Sequence, residues 1–301
     1  MSIDYNSNRE KILTFTVPED SESIDTKTFL RRHCQVSART LSKLKRTDMG
    51  ITRDGKLLKT TDILKAGDIV TLAMPDDVNE ITPIKGELDI LFEDEHIILV
   101  NKPYYMPVHP TKIHQEDTLA NILCYYMQQK GEYYTFRAIN RLDRDTSGCL
   151  LIAKDRYTAN CLPTTVSKEY VAACEGEINS SGTVNAPIKV MEGRSIQRVV
   201  SADGAPSITH YFPVFTKNDH TLTRFILETG RTHQIRCHMS SISHPLAGDD
   251  MYGGSLNFIS RQALHCNKMS FIHPVTNEFI AIKCDIPKDI CNVFGMDKIV
   301  L

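Results

Sequence analysis

The 301-residue sequence has no CxxC pair, no internal repeat, no low-complexity tract, and no run near the roughly 18 apolar residues that a membrane helix needs. Its first residues, MSIDYNSNREKI, lack the apolar stretch of a secretory signal. Glycine (15) and proline (13) are sparse and hydrophobic residues reach 41%, which excludes collagenous and intrinsically disordered chains. Nine scattered cysteines, an odd number, argue against a disulfide framework and a cysteine-based zinc module. Free thiols in a cytoplasmic, reducing compartment are the expectation. Net charge is nearly absent as well, at −2, and as an average it offers nothing to a polyanion.

The distribution of charge says otherwise. Between Lys27 and Lys59 ten Lys and Arg residues stand against two acids, a local +8, while residues 60–99 carry two Lys against ten acids, a local −8. A compact basic segment is what phosphate binding requires, because each cation that neutralises a phosphate releases counterions. The bland alternative is a solvated helix face, and charge alone does not separate the two.

Pattern helps. Phe29, Leu30, Val36, Leu41 and Leu44 fall at helical spacing, with Ser37 placed to cap a helix whose polar side carries Arg39, Lys43, Lys45 and Arg46. A hairpin around Asp54-Gly55, with Arg53 beside it, and a strand at Gly67–Leu72 (GDIVTL) follow. Two short basic helices followed by a small sheet resemble the S4 RNA-binding domain over about residues 22–74, which makes Arg39, Lys43, Lys45, Arg46 and Arg53 candidate RNA contacts. Residues 1–74 are therefore expected to form an N-terminal strand and S4-like module. Residues 75–86, acidic and carrying two prolines, read as a linker, and a second domain is expected over 87–301.

In that second part LDILFEDEHIILVNKP reads as two short strands about an acidic turn, and Thr118–Gln129 as a helix. The segment Asn140-Arg141-Leu142-Asp143-Arg144-Asp145-Thr146-Ser147-Gly148 then runs into the apolar strand Cys149–Ala153 and Lys154. This RLDxxTSG loop resembles the signature of the RluA family of pseudouridine synthases. Lys168–Ala172 (KEYVA), Gly204–Tyr211 (GAPSITHY), Gly230–Met239 (GRTHQIRCHM) and His244–Asp249 (HPLAGD) resemble further motifs of that family in the expected order. With the S4-like module in front, the resemblance is to the subgroup containing RluC and RluD.

The resemblance implies an isomerase that turns uridine into pseudouridine in structured RNA, with 23S ribosomal RNA as the expected substrate and tRNA as an alternative. A catalytically silent RNA-binding protein on the same scaffold is the rival of another class. The fold implied is α+β, with a mixed, largely antiparallel sheet and a central cleft. Asp143 would be the catalytic carboxylate, Arg231 the cation that offsets its desolvation, and Tyr170 the ring that packs on the target base. Arg141 and Ile235 would serve base flipping. The rearrangement needs no cofactor, and a monomer is expected. No metal is expected, since His233 and His238 lie five apart, off the i, i+4 spacing of a helical metal pair. Two departures stand out: Asn140 where the family has His, and a shorter stretch between Lys154 and Lys168.

Overall fold

A computed structural model of the chain describes residues 11–19, 23–74, 80–193 and 196–301. The basic N-terminal segment folds as its pattern suggests. Ser37 caps α2 (Ala38–Leu44), its hydroxyl accepting from the Thr40 N–H at 3.0 Å. Ahead of it, α1 (Thr26–Thr28) continues into a π-helical turn at Phe29–His33. Asp54 and Gly55, both left-handed at φ 51° and 74°, close the tight turn between β3 (Ile51–Arg53) and β4 (Lys56–Leu57). These strands join β1 (Lys11–Thr16) and β6 (Ile69–Met74) in the order β1-β6-β3-β4, while β2 (Ile24–Asp25) pairs with β5 (Ile63–Leu64). Phe29, Leu30, Leu41, Leu44, Val70 and Leu72 fill the core between helices and sheet.

Part of the expected linker, residues 75–79, lies outside the described residues. The rest is not a free tether. Asn121 on α3 (Leu119–Lys130) donates to the Thr82 carbonyl at 2.9 Å, its own carbonyl accepts from the Ile84 N–H at 3.1 Å, and Ile81 packs on the main core. The polar, proline-bearing composition of 80–86 concealed this, because the partner holding it lies nearly forty residues further on. Residues 81–84 of the expected linker thus lie against α3 and the main core.

The main sheet is built from β7 (Ile90–Glu93), β8 (Ile97–Lys102), β9 (Ser147–Ala153), β10 (Ser167–Glu175), β11 (Gly182–Asn185), β14 (Ile208–Lys217), β15 (His220–Leu227), β16 (Leu264–Ile272) and β17 (Phe279–Lys283). The order is β11-β14-β15-β10-β16-β9-β8-β7, with β17 on β16. Among the described strands every pairing in this sheet is antiparallel except β9 with β16, so the mixed, largely antiparallel sheet is as expected. Two short strands, β12 (Ile188–Val190) and β13 (Arg198–Val200), pair apart from it.

Period-two alternation on β10 divides the core between the faces of the sheet. Tyr170, Ala172 and Cys174 join the larger cluster with α3, with α5 (Gln234–Ser241) and with β8 and β9, whereas Val171 and Ala173 join the cluster around α6 (Lys288–Val293). The site residue on β10 thus shares a face with α5. The stretch between Lys154 and Lys168 holds α4 (Arg156–Cys161), capped by Asp155, and this helix packs Tyr157 and Cys161 into the core of the N-terminal module.

Candidate active site

The 141–146 loop is irregular backbone held at both ends. At its start Asn140 donates to the Cys149 carbonyl at 3.2 Å and accepts from the Leu151 N–H at 2.9 Å, so the amide that replaces the family's histidine pins the loop to β9. At its far end Lys102, with no exposed surface, donates through Nζ to the carbonyls of Pro103, Met106 and Arg144 at 2.8, 2.8 and 3.0 Å. Burial pulls this ammonium down to about 7, and three carbonyls match its three N–H groups. Arg261 donates to the Asp145 carbonyl at 3.0 Å. Gly148 allows the loop to run into β9 beside β16: at φ 111° a Cβ there would lie 2.2 Å from the Cys266 carbonyl oxygen.

One pocket gathers Asp143, Tyr170, Arg231, Arg141 and Ile235, together with Leu142, His233, Gln234 and Arg236. Five expected site residues from three separate chain segments therefore meet. The other five, Arg39, Lys43, Lys45, Arg46 and Arg53, lie on the N-terminal module. Arg39, Lys45 and Arg46 are exposed there, whereas Arg53 is tied to Asp68 at 2.9 Å and to the Ile63 carbonyl, which makes it part of the module's own scaffold.

The cation beside Asp143 is not the expected one. Arg236 Nη1 stands 3.4 Å from Asp143 Oδ2, while its Nε and Nη2 grip Asp249 at 2.6 and 2.8 Å. Arg231 lines the same pocket, but its Nε donates to the Pro206 carbonyl and its backbone N–H to Gln234 Oε1. The reason is helical geometry. Arg231 precedes α5, whereas His233 at the cap and Arg236 three residues on project from neighbouring positions. That i, i+3 relation within THQIR was the signal available for Arg236. Burial, offset by Asp143 and reinforced by Arg236, Arg198 and Arg141, pulls the His233 imidazole well below its ordinary range, so it is a neutral neighbour 3.7 Å from Asp143.

The rest of the GRTHQIRCH segment is scaffold. Gln234 accepts from Thr229 and the Arg231 N–H while donating to the Ile208 carbonyl and Thr209. His238 bridges Thr209 and the Ala186 carbonyl, and burial pulls it down as well. Burial, reinforced by Cys266 and Asp143, drives the Tyr170 hydroxyl far above its ordinary value, leaving a neutral phenol in the pocket wall. A largely buried carboxylate, 20% exposed, beside a buried guanidinium and an aromatic ring suits attack on, or proton removal from, a planar substrate that leaves water.

Comparison with known proteins agrees in direction. A family model described as RNA pseudouridylate synthase matches residues 96–241. The chain is 40% identical over 241 residues to YhcT, an uncharacterized RNA pseudouridine synthase of Bacillus subtilis, covering 77% of this chain and 80% of the relative. It is 36% identical to the ribosomal large subunit pseudouridine synthase D of Pseudomonas aeruginosa, covering 80% and 82%. Among solved structures, human RNA pseudouridylate synthase domain containing 1 superposes with a TM-score of 0.53 at 25% identity, covering 67% of this chain and 84% of that one.

Proposed function

Given that the chain belongs to the RNA pseudouridylate synthase family, and is thus an isomerase, we propose that it converts specific uridines of large-subunit ribosomal RNA to pseudouridine with Asp143 as the catalytic group. The observation that carries this reading is the convergence of Asp143, Tyr170 and Arg236 on one pocket. The similarity to large-subunit synthases along four fifths of the chain supports the choice of RNA.

In the reaction the N1–C1′ bond breaks, the base turns, and C5 bonds to C1′. C5 then gives up its proton and N1 gains one, so nothing is oxidised or reduced. Asp143 would act on the sugar or base with Arg236 Nη1 3.4 Å from its carboxylate. Tyr170, held as a phenol, is a packing surface and hydrogen-bond donor for the base. Arg141, exposed at the pocket rim, fits the gap a flipped nucleotide leaves. The N-terminal module, S4-like in its order of basic helices and small sheet, would dock RNA through Arg39, Lys45 and Arg46.

Tritium release from RNA labelled at uridine C5 tests the chemistry. Wild type should release label, and Asp143→Ala should not; robust release by the variant overturns the role of Asp143. Mapping pseudouridines in a deletion strain against its parent tests the substrate. Lost sites should fall in large-subunit RNA, and sites lost only from tRNA would reassign it.

A further inference from the structure

Next to the pocket over Asp143 lies a much larger cleft of about 780 Å³, which shares Arg141, Leu142, Asp143 and His233 with it. None of the expected site residues explains its far wall. That wall comes from the 107–114 segment, from Ile196 and from Arg198 at the start of β13. Pro107, the buried Val108 and the His109 ring, set edge-on against Phe136, form an apolar floor. Ile113 and Ile196 stand over it at 86% and 58% exposure and offer apolar surface to a planar ligand.

The charge of the cleft is one-sided. Among its lining residues Arg141, Arg144 and Arg198 face a single carboxylate, Asp143. Arg144 is bound to Asp145, whereas Arg198 Nη1 is buried and has no hydrogen-bond partner among the described residues, although the Arg198 backbone N–H is held by the Tyr252 hydroxyl at 2.8 Å. A buried guanidinium N–H without an acceptor is destabilising unless a ligand supplies one. Its electrostatic reach extends to the reacting end, since Arg198 and Arg141 are among the cations that press His233 downward.

An apolar wall, a half-buried arginine with an unpartnered Nη1 and continuity with the catalytic pocket together specify the occupant. We propose that this cleft is a subsite for a nucleotide adjacent to the target uridine, its phosphate on Arg198 and its base against Ile113 and Ile196. The subsite rests on the function proposed above and adds a determinant of which uridines are chosen. A strand with one nucleotide flipped into the Asp143 pocket must also place its neighbour somewhere nearby, and stacking on a side-chain surface offsets the stacking lost in the RNA.

The test uses the full chain and a transcript spanning a uridine whose modification is lost in the deletion strain. A parallel set of transcripts carries a neutral methylphosphonate or an abasic residue at each position flanking that uridine. Arg198→Ala should raise KM roughly ten- to a hundredfold, the range for losing a charged hydrogen bond, with a much smaller change in kcat. One methylphosphonate position should weaken wild type by a similar factor yet leave Arg198→Ala unchanged, and Arg198→Lys should recover part of the loss. Ile113→Glu, at an exposed position where folding is not at stake, should show the same relation with one abasic position. If wild type is active but Arg198→Ala and Ile113→Glu have its KM, or if their losses add fully to every backbone and base modification, the subsite is wrong while the function stands. If wild type modifies no transcript, the functional reading itself falls and the subsite with it.

Discussion

At the scale of single residues the site turns on which arginine serves which carboxylate. Arg236 is 6% exposed in its side chain and shared between Asp143 and the buried Asp249, whose carboxyl burial pushes up against the pull of that same arginine. Removing it leaves two carboxylates without their cation, a loss of the order of 3–5 kcal/mol for buried pairs. Arg236→Gln is therefore expected to slow single-turnover isomerisation by about a hundredfold or more and to lower the melting temperature. Arg231→Ala, which frees only the Pro206 carbonyl, should cost less than about tenfold and leave melting nearly unchanged. Equal rates for the two variants would return the role to Arg231. GRTHQIR holds two arginines, and only the start of α5 decides which one stands nearer the loop. Lys102 was hidden for a related reason. A lysine at the end of an apolar strand reads as a solvated terminus until the three carbonyls that enclose it are known.

At the scale of elements, Glu93 fastens three parts of the core. It accepts from the Tyr126 hydroxyl at 2.6 Å and from Lys130 at 2.8 Å, both on α3, and from Lys154 just beyond β9 at 2.8 Å. Burial would raise this carboxyl, but the hydrogen bonds from Lys130, Lys154 and Tyr126 prevail and hold it at about 2. A depressed carboxylate contributes stability above its unfolded value near 4.3, and that contribution drains away as pH falls from about 4.3 toward 2. Glu93→Gln should lower the unfolding free energy by about 2–3 kcal/mol at pH 7, and the gap to wild type should narrow steadily below pH 4 in urea titrations. A gap independent of pH would mean that packing, not charge, is lost. Elements of this kind were legible where local chemistry fixes them. The Ser37 cap, the Asp54-Gly55 turn and the helix near 118–129 all stand where the residues put them. Pairings across long separations were not, because nothing in TSG announces that Ser147 will lie beside His265.

At the scale of the whole molecule, the near-zero net charge conceals a division of labour. The N-terminal module is seated on α4, where Phe15 meets Tyr157 edge-on at 5.3 Å and Asn160 donates to the Gln35 carbonyl at 2.6 Å. The short 154–168 stretch thus serves as a bracket for the module. Reversing Arg39, Lys45 and Arg46 to Glu in the full chain should weaken RNA binding and flatten the dependence of log K on log salt by about 2–3, at roughly 0.7–0.9 per lost phosphate contact. An unchanged slope would remove this surface from the interface. The strand order has a different consequence, one of timing. β16 lies between β9, which carries the Asp143 loop, and β10, which carries Tyr170. Chains are made from the N-terminus at about 5–20 residues per second, so both halves of the site emerge from the translating ribosome roughly five seconds or more before the strand that joins them. The sheet that holds the Asp143 loop beside Tyr170 is therefore complete only once synthesis has passed residue 272.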